Sequence, residues 1–327
     1  MKIFVTGAAG FIGYHLSKEL LKNNFSIIGI DNLNNYYSPD YKKERIRNLR
    51  KNKNFKFYKL DLKNKKKLLE IFKIHKPEVI YHLASQPGIM YSFKNPNTYL
   101  KNNIQVTDNL IEYSKKFNVK KFYFTSSSSV YGLKKKFPIK EKASLKPINL
   151  YAKTKKKCEE KLLKEFGNTS IDLKIFRPFT VYGEFARPDM IFLTYFLKAK
   201  NKTNFYLFNN GNYIRDFTYV GDVVAILKKF LFKEKIKNKI FNICSSNPIK
   251  VKQIISLIQK YSSIDTNLIN KPYRKGEMIK TYGDNRLIKK TIKFRRFTSI
   301  ESGIKKTIKW YSNFKNKKLL FFNKVKY

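Results

Sequence analysis

The first thirteen residues constrain the fold more than any other stretch of this chain. A short apolar strand, Lys2–Thr6, runs into Gly7-Ala8-Ala9-Gly10-Phe11-Ile12-Gly13 and then into a helical pattern. Gly7 permits the tight turn out of the strand, Gly10 lets backbone amides approach a pyrophosphate, and Gly13 lets the helix pack closely on the sheet. The positive end of the helix dipole then faces the phosphates. The spacing therefore predicts a dinucleotide-binding turn at the start of a parallel α/β sheet.

An acidic residue follows the second predicted strand and bears on the choice of dinucleotide. The apolar run Ser26–Ile30 ends in Asp31, which lies roughly 20 residues beyond the glycines, where an acid meets the adenosine ribose. A carboxylate there accepts a hydrogen bond from a ribose 2'-hydroxyl and repels a 2'-phosphate. Asn32, rather than an arginine, comes next. These two residues favour NAD over NADP.

The chain is strongly basic, but its basic residues are dispersed. It has 327 residues with 70 Lys and Arg against 23 Asp and Glu, a formal net charge of +47. Lysines occur on almost every predicted helix and loop, mixed with Asn and Ile, and no single arm or helix concentrates them. We interpret the charge as an overall composition shifted toward Lys, Asn and Ile, and we expect no specific nucleic-acid partner. A functional surface that binds polyanions is the alternative interpretation.

Cysteine content and hydropathy predict a cytoplasmic protein. Cys158 and Cys244, the two cysteines, are far apart in sequence, which suits a reducing compartment better than a disulfide framework. No metal-ligand spacing is present, so no metal is expected. The first strand begins without a signal-peptide core, and no apolar run reaches the roughly 18 residues of a membrane span.

Strand-length apolar runs alternate with helical patterns up to residue 176. The predicted strands are Lys2–Thr6, Ser26–Ile30, Phe55–Leu60, Glu78–His82, Lys121–Ser126 and Ile171–Phe176. Nearly continuous hydrophobicity indicates strands covered on both faces, hence a Rossmann-type doubly wound parallel sheet. Beyond it, turns rich in Gly, Asn and Pro predict a smaller α/β lobe. We therefore expect a dinucleotide-binding domain over residues 1–176, a substrate lobe over 177–327, and a ligand cleft between them.

The last fifteen residues, Asn313–Tyr327, combine an apolar run at 319–322 with lysines. Such a segment predicts a docked final helix or a frayed end. A segment that contacts a membrane surface or a partner is the alternative.

A serine run and a downstream tyrosine–lysine pair carry the predicted chemistry. Residues 125–132, Thr-Ser-Ser-Ser-Ser-Val-Tyr-Gly, end a predicted strand. Asn149 can cap a helix that continues to about Glu165, on which the i,i+4 spacing places Tyr151 and Lys155 on one face. A lysine ammonium beside a phenol stabilises the phenolate and is expected to lower its pKa from about 10 toward neutrality. Tyr151 is therefore a candidate general base and acid, assisted by a serine hydroxyl.

Motifs along the whole chain resemble those of a known family. They are Gly7 to Gly13, Asp61-Leu62, His82-Leu83-Ala84, the serine run, Tyr151 with Lys155, and Arg177-Pro178-Phe179. Together they resemble the extended short-chain dehydrogenase/reductases that act on nucleotide sugars. Finer matches are residues 31–37 (Asp-Asn-Leu-Asn-Asn-Tyr-Tyr), 86–88 (Gln-Pro-Gly), 91–92 (Tyr-Ser), 179–183 (Phe-Thr-Val-Tyr-Gly), 187–190 (Arg-Pro-Asp-Met) and 215–219 (Arg-Asp-Phe-Thr-Tyr). These are similar to UDP-glucuronate 4-epimerases, a group associated with capsular polysaccharide biosynthesis.

The resemblance implies a role for each matching residue. The catalytic set is Ser127, Tyr151 and Lys155. The residues implied to bind NAD are Gly7, Gly10, Phe11, Ile12, Gly13, Asp31, Asn32, Asp61, Leu62, Leu83, Ala84, Gln86, Asn102, Tyr151, Lys155 and Pro178. The residues implied to bind the UDP-sugar are Ser128, Ser129, Thr180, Arg187, Arg215, Arg274 and Glu277. Arg215 and Arg274 match arginines that clamp the UDP pyrophosphate, and Glu277 matches an acid at the uridine ribose.

The resemblance further implies an isomerase that uses NAD as a resident catalyst. The 4-hydroxyl of the sugar is oxidised, the 4-keto intermediate turns over in the pocket, and hydride returns to the opposite face. Related dehydratases and decarboxylases carry acids where Ser128 and Ser129 stand, so epimerisation is favoured. A homodimer is also implied, through the helix after Pro96 and the Tyr151 helix.

The identity of the sugar stays open at this point. UDP-glucuronate 4-epimerases commonly carry an arginine where this chain has Met90, and Gly-Pro-Trp-Gly where it has residues 183–186, Gly-Glu-Phe-Ala. Thr281 stands where galactose-type epimerases carry a bulky aromatic residue. UDP-glucose, UDP-N-acetylglucosamine or its uronate are therefore alternative substrates. A non-catalytic NAD-binding protein of the same fold is the alternative from another class.

Overall fold

A seven-stranded parallel sheet forms the centre of the structure, a computed structural model that describes residues 1–233, 236, 239–274 and 276–320. The strands in chain order are β1 (Lys2–Thr6), β2 (Ser26–Asp31), β3 (Phe55–Lys59), β4 (Val79–His82), β5 (Lys121–Thr125), β6 (Asp172–Pro178), β7 (Thr180–Tyr182), β8 (Phe205–Phe208), β9 (Ile214–Tyr219), β10 (Ile240–Ile243), β11 (Pro248–Lys250) and β12 (Leu268–Lys271). The large sheet has the order β3-β2-β1-β4-β5-β6-β10. Since the order reverses between β1 and β4, a crevice opens at their carboxyl ends.

Helices cover both faces of this sheet. They are α1 (Phe11–Leu21), α2 (Pro39–Leu49), α3 (Lys65–His75), α4 (Ile89–Lys94), α5 (Pro96–Tyr99), α6 (Val106–Lys116), α7 (Leu150–Glu165), α8 (Ile191–Lys200), α9 (Val220–Lys229), α10 (Val251–Ser262), α11 (Arg286–Ile292) and α12 (Ile300–Asn313). A π-helical turn, Leu100–Gln105, joins α5 to α6, and short 3₁₀ turns span Ser128–Tyr131, Asn209–Gly211, Phe230–Phe232 and Lys317–Leu320.

The two sides of the sheet carry separate hydrophobic cores. Along β1, Ile3 and Val5 belong to the core on one face, and Phe4 belongs to the core on the other. All three side chains are fully buried. The predicted Rossmann-type sheet, covered on both faces, is therefore confirmed, and the six predicted strands lie within two residues of their expected bounds at each end.

The C-terminal half contributes to the large sheet as well as to smaller ones. β10 pairs in parallel with β6 at the edge of the sheet, although the sequence assigned residues 177–327 to a separate lobe. That half also forms a three-stranded sheet, β11-β9-β7, and a two-stranded sheet, β12-β8. Because β10 belongs to the large sheet, residue 176 does not separate two independent sheets. The assignment of residues 1–176 to the dinucleotide and of residues 177–327 to the substrate stays a prediction.

The end of the chain is described as far as residue 320. α12 is followed by the turn Lys317–Leu320, where the Leu320 side chain is buried in the core. Residues 321–327, which include the rest of the apolar run in the predicted tail, lie outside the described residues. Among the residues that are described, none of the helices has the length and apolar character needed to cross a membrane.

Candidate active site

A cleft of about 320 Å³ lies at the carboxyl ends of the central strands. Every residue that the sequence assigned to NAD lines it: Gly7, Gly10, Phe11, Ile12, Gly13, Asp31, Asn32, Asp61, Leu62, Leu83, Ala84, Gln86, Asn102, Tyr151, Lys155 and Pro178. Ser127, Thr180 and Arg187 line the same cleft. The structure therefore brings together residues that are spread over most of the chain, and their individual roles remain predictions.

The glycine-rich turn has the geometry that a pyrophosphate site requires. Gly7 has a φ of 73°, a conformation that favours glycine. A Cβ added at Gly13 would lie 2.1 Å from the Gly7 carbonyl oxygen, so a larger residue cannot fit without moving the backbone. The Gly10 amide donates to the same oxygen at 2.8 Å and closes the turn. The residues at this turn fit the diphosphate of a dinucleotide.

The Asp31 carboxylate is held at the edge of the cleft by backbone amides. It accepts hydrogen bonds from Ala9 N at 3.2 Å and from Leu33 N at 2.8 Å. Each carboxylate oxygen keeps a further lone pair for a ribose hydroxyl. This arrangement fits the predicted preference for NAD, because the carboxylate is fixed and negatively charged where NADP carries a phosphate.

The tyrosine–lysine pair lies on a helix that begins as the sequence predicts. Asn149 caps α7, since its side-chain oxygen accepts a hydrogen bond from Ala152 N at 2.9 Å. Tyr151 and Lys155 both line the cleft from this helix. Ser127 follows β5, and its hydroxyl oxygen accepts a hydrogen bond from Ser129 N at 3.1 Å. Because the Ser127 oxygen is the acceptor in that bond, its hydroxyl proton can be donated to the phenol oxygen of Tyr151.

The pKa of Tyr151 differs from the sequence-based expectation. Burial raises the pKa of the phenol above its ordinary value, while hydrogen bonding from Ser127 and the positive charge of Arg187 act in the opposite direction. The predicted lowering by Lys155 is therefore wrong for the protein as it stands, because burial outweighs the stabilising contacts. The pKa of Lys155 is itself lowered to about 8, mainly by burial, and its ammonium lies 4.2 Å from the centroid of the Phe124 ring.

Two of the predicted sugar-binding residues, Arg187 and Thr180, line the cleft, and two others, Ser128 and Ser129, do not. Arg187 lines the cleft and forms a two-pronged ion pair with Asp189, with nitrogen–oxygen distances of 2.9 and 3.0 Å. Thr180 also lines the cleft. Ser128 and Ser129 begin the 3₁₀ turn after β5, are buried, and are not part of the cleft lining.

The remaining predicted substrate residues form an arginine cluster, Arg215, Arg274 and Glu277, outside the lining of the cleft. The Glu277 carboxylate lies 3.4 Å from Arg215 and 3.2 Å from Arg274, one oxygen facing each guanidinium. Arg274 is also stacked 3.5 Å above the centroid of the Phe208 ring. The structure thus brings these three residues together, and each arginine is paired with the same acid.

Several residues of the site had no individual role assigned from the sequence, although most of those in the cleft fall within the motifs that carry the resemblance. Those that line the cleft are Asn34, Tyr36, Tyr37, Lys42, Leu60, Ser85, Pro87, Val106, Thr125, Ser126, Phe179, Val181 and Met190. Behind them, a buried ion pair joins Glu159 of α7 to Arg177 of β6 at 2.6 Å. Glu159 also accepts a hydrogen bond from Ser126. Its i,i+4 spacing from Lys155 was the available signal, because it places Glu159 on the catalytic face of the helix.

Fold and cleft together define a Rossmann-type dinucleotide-binding protein with serine, tyrosine and lysine at the site. The chain belongs to the NAD dependent epimerase/dehydratase family, whose model matches residues 3–244. It is 34% identical over 312 residues to UDP-glucuronate 4-epimerase of Thermodesulfobacterium geofontis, which covers 94% of each chain. It is also 33% identical over 335 residues to Protein CapI of Staphylococcus aureus, covering 97% of this chain and all of that one.

A solved structure is similar over nearly the full length. UDP-glucuronic acid 4-epimerase from Bacillus cereus, in complex with UDP-glucuronic acid and NAD, superposes with a TM-score of 0.89 at 32% identity. The match covers 95% of this chain and 99% of that one. These comparisons confirm the predicted family, fold class and NAD dependence, and they support the prediction of an isomerase that acts on a UDP-sugar.

Proposed function

We propose that this protein is an NAD-dependent UDP-sugar 4-epimerase that interconverts UDP-glucuronate and UDP-galacturonate through a transient 4-keto sugar. The observation that carries this proposal is the convergence of Ser127, Tyr151 and Lys155 on the cleft that the glycine-rich turn and Asp31 also line. A protein that only binds a dinucleotide has no need of these three groups. Relatives that carry the same activity in their names support the choice of reaction.

Tyr151 takes the proton of the sugar 4-hydroxyl and later returns it. NAD, which the glycine-rich turn and Asp31 would hold, would supply reversible hydride acceptance at C4, so no net oxidation results. Ser127 donates a hydrogen bond that favours the phenolate of Tyr151. The charge on Lys155 adds positive potential to the same region of the cleft, because its pKa of about 8 leaves most of the side chain protonated at neutral pH.

Recognition of the sugar carboxylate is assigned to Arg187 and Thr180, which line the cleft. Ser128 and Ser129 are buried outside that lining, so they take part only if the turn that follows Ser127 opens toward the sugar. A planar guanidinium can hold a carboxylate with two parallel hydrogen bonds. We assign the UDP pyrophosphate to Arg215 and Arg274 and the uridine ribose to Glu277. For this cluster to bind UDP, the ion pairs within it must first exchange for contacts with the ligand.

A neutral sugar is the second candidate substrate, and one observation favours it. Asp189 already neutralises Arg187 through two hydrogen bonds, so the net charge that faces the sugar is smaller than an isolated arginine would provide. UDP-glucose or UDP-N-acetylglucosamine would then be epimerised by the same catalytic residues. Water loss or decarboxylation is disfavoured because Ser128 and Ser129 stand where an additional acid would be needed.

We also propose a homodimer in the cytoplasm, with a role in capsular polysaccharide synthesis. The similarity to Protein CapI supports the pathway. The dimer contact would involve α6 and α7 together with the π-helical turn, where the Leu100 side chain is 45% exposed. Light scattering behind a size-exclusion column gives the mass directly, and Leu100→Lys is expected to shift a dimer toward the monomer.

The function is tested by incubating the purified protein with UDP-glucuronate and following the anomeric proton signals by NMR. UDP-glucose and UDP-N-acetylglucosamine are run in parallel, with Tyr151→Phe as the matched control. Formation of UDP-galacturonate without carbon dioxide supports the proposal. Turnover of only another sugar would overturn the substrate assignment, and no turnover of any sugar would overturn the enzyme assignment.

A further inference from the structure

Arg45 of α2 is fully buried and is held by neutral oxygens. Its described hydrogen-bond acceptors are three backbone carbonyls and one phenol. The guanidinium also lies 4.3 Å from the centroid of the Tyr41 ring. Moving a cation out of water is unfavourable, and no carboxylate among these contacts offsets that desolvation. Among the described residues, this arginine is therefore held by its hydrogen bonds and ring contact rather than by an ion pair.

One terminal nitrogen of Arg45 holds the glycine-rich turn. Nη1 donates to the Ala9 carbonyl oxygen at 2.7 Å and to the Tyr37 hydroxyl at 2.5 Å. The peptide that follows Ala9 is fixed at its other end, where the Gly10 amide donates to the Gly7 oxygen. Arg45 therefore fixes the orientation of the peptide at the N-terminus of α1, the end that faces a bound diphosphate.

The other terminal nitrogen holds the segment that leads to Arg187. Nη2 donates to the Phe185 carbonyl oxygen at 2.7 Å and to that of Ala186 at 3.4 Å. The Tyr41 hydroxyl donates to the same Ala186 oxygen at 3.2 Å. The next residue, Arg187, lines the cleft and is the proposed partner of the sugar carboxylate. A single planar group thus joins two segments that are more than 170 residues apart in sequence and that serve the two ligands.

We propose that Arg45 is a positioning residue that holds the dinucleotide turn and the Phe185–Arg187 segment in a fixed relation to each other. Only the sugar part of this inference rests on the proposed function, since the dinucleotide part concerns binding of NAD alone. The rigid fork of a guanidinium can reach both sets of carbonyls at once, whereas the single ammonium of lysine cannot. Charge alone therefore does not replace Arg45.

The test compares Arg45→Lys with Arg47→Lys, an exposed arginine of the same helix that pairs with Glu44. NAD affinity is measured by titration calorimetry on protein stripped of nucleotide, and kcat and KM are measured with the UDP-sugar that the wild type epimerises. For Arg45→Lys we expect NAD affinity to fall about tenfold and kcat to fall about 100-fold, as misplacement of reacting groups by about 1 Å does. Arg47→Lys is expected to match the wild type.

Chemical rescue separates positioning from a purely structural role. Arg45→Ala leaves a buried space that a guanidinium ion can enter, so added guanidinium below denaturing concentration is expected to restore NAD affinity and kcat by about tenfold. Equal concentrations of sodium chloride serve as the control. Arg45→Lys with unchanged NAD affinity and kcat, or a folded Arg45→Ala that guanidinium does not rescue, would overturn the inference. Absence of turnover in the wild type would refute the proposed function alone, because the NAD titration still tests Arg45.

Discussion

The two regions that we propose to bind ligands differ in the chemical groups from which they are built. The dinucleotide end, formed by Gly7–Gly13 and Asp31, consists of backbone groups and of a carboxylate that backbone amides hold. The arginine cluster consists of long side chains that pair with one another around Glu277. A site made from backbone is fixed once the sheet has folded. A site made from paired side chains must replace its internal ion pairs with contacts to the ligand. Substitutions in the glycine-rich turn are therefore expected to change NAD affinity, and substitutions in the arginine cluster are expected to change KM for the UDP-sugar.

The largest expected effect is at Tyr151, the proposed general base and acid, which belongs to neither region. Tyr151→Phe removes the proton donor and acceptor and keeps the ring, so we expect kcat to fall by about 10³- to 10⁴-fold. NAD affinity and KM for the UDP-sugar are expected to change less than about threefold, because the glycine-rich turn and the arginine cluster are unaltered and the aromatic ring at position 151 is kept. Stopped assays analysed by NMR and calorimetric titration give the three quantities. A fall in NAD affinity that matches the fall in kcat would contradict the assignment.

The second-largest effect is expected in the glycine-rich turn. Gly13→Ala places a Cβ 2.1 Å from the Gly7 carbonyl oxygen, which the turn cannot accommodate without moving. NAD affinity is expected to fall at least about 100-fold, which corresponds to about 2.7 kcal/mol. The matched variant is Gly10→Ala, whose Cβ would lie 2.9 Å from the same oxygen and should cost less. Equal losses of NAD affinity in the two variants would contradict the inference that close backbone contact at Gly13 sets the geometry of the turn.

A smaller effect is expected at the arginine cluster. Arg274→Gln removes a charged hydrogen-bond donor, and one such contact contributes about 1.5–3 kcal/mol, so KM for the UDP-sugar should rise about 10- to 100-fold. NAD affinity and kcat should stay near the wild-type values because the cluster lies outside the lining of the dinucleotide cleft. Arg286→Gln, an exposed arginine that pairs with Asp284, is the control. A fall in kcat with unchanged KM would place Arg274 in the chemistry instead.

The smallest expected effect is a shift in the pH profile. Burial raises the pKa of Tyr151, and the base form is the phenolate, so the rate should rise with pH above neutrality. The Ser127 hydrogen bond lowers that pKa, so its removal in Ser127→Ala should raise the pKa further and move the rising limb to higher pH. Ser127→Thr keeps the hydroxyl and should retain the wild-type limb. Profiles of kcat/KM that coincide for the alanine and threonine variants would refute this role.

Local sequence patterns predicted the glycine-rich turn and Asp31, but they did not predict the arginine cluster, and the difference has a physical reason. Apolar runs of strand length and the spacing of Gly7, Gly10 and Gly13 are local patterns, and the fold reproduces them. The Asn149 cap is local in the same way. By contrast, Arg215, Arg274 and Glu277 were identified only through resemblance, because nothing local distinguishes two arginines in a chain with 70 basic residues.

Two features of the site, the pKa of Tyr151 and the contacts of Arg45, depend on tertiary structure and could not be predicted from local sequence patterns. The direction of the Tyr151 pKa shift was predicted wrongly because the cost of burial was not visible from the spacing of Tyr151 and Lys155. Arg45 was not identified, since its acceptors Ala9 and Phe185 lie 36 and 140 residues away in sequence. Contacts at such separations appear only once the sheet has brought the segments together.

The most direct test of the central claim is the fate of deuterium placed at C4 of UDP-glucuronate. The hydride is proposed to leave C4 and return to the same carbon from the opposite face, without exchange with solvent. We therefore expect UDP-galacturonate that retains deuterium at C4, as read by proton NMR and mass spectrometry. A product that carries a solvent proton at C4, or a product that has lost the carboxylate as carbon dioxide, would contradict the account.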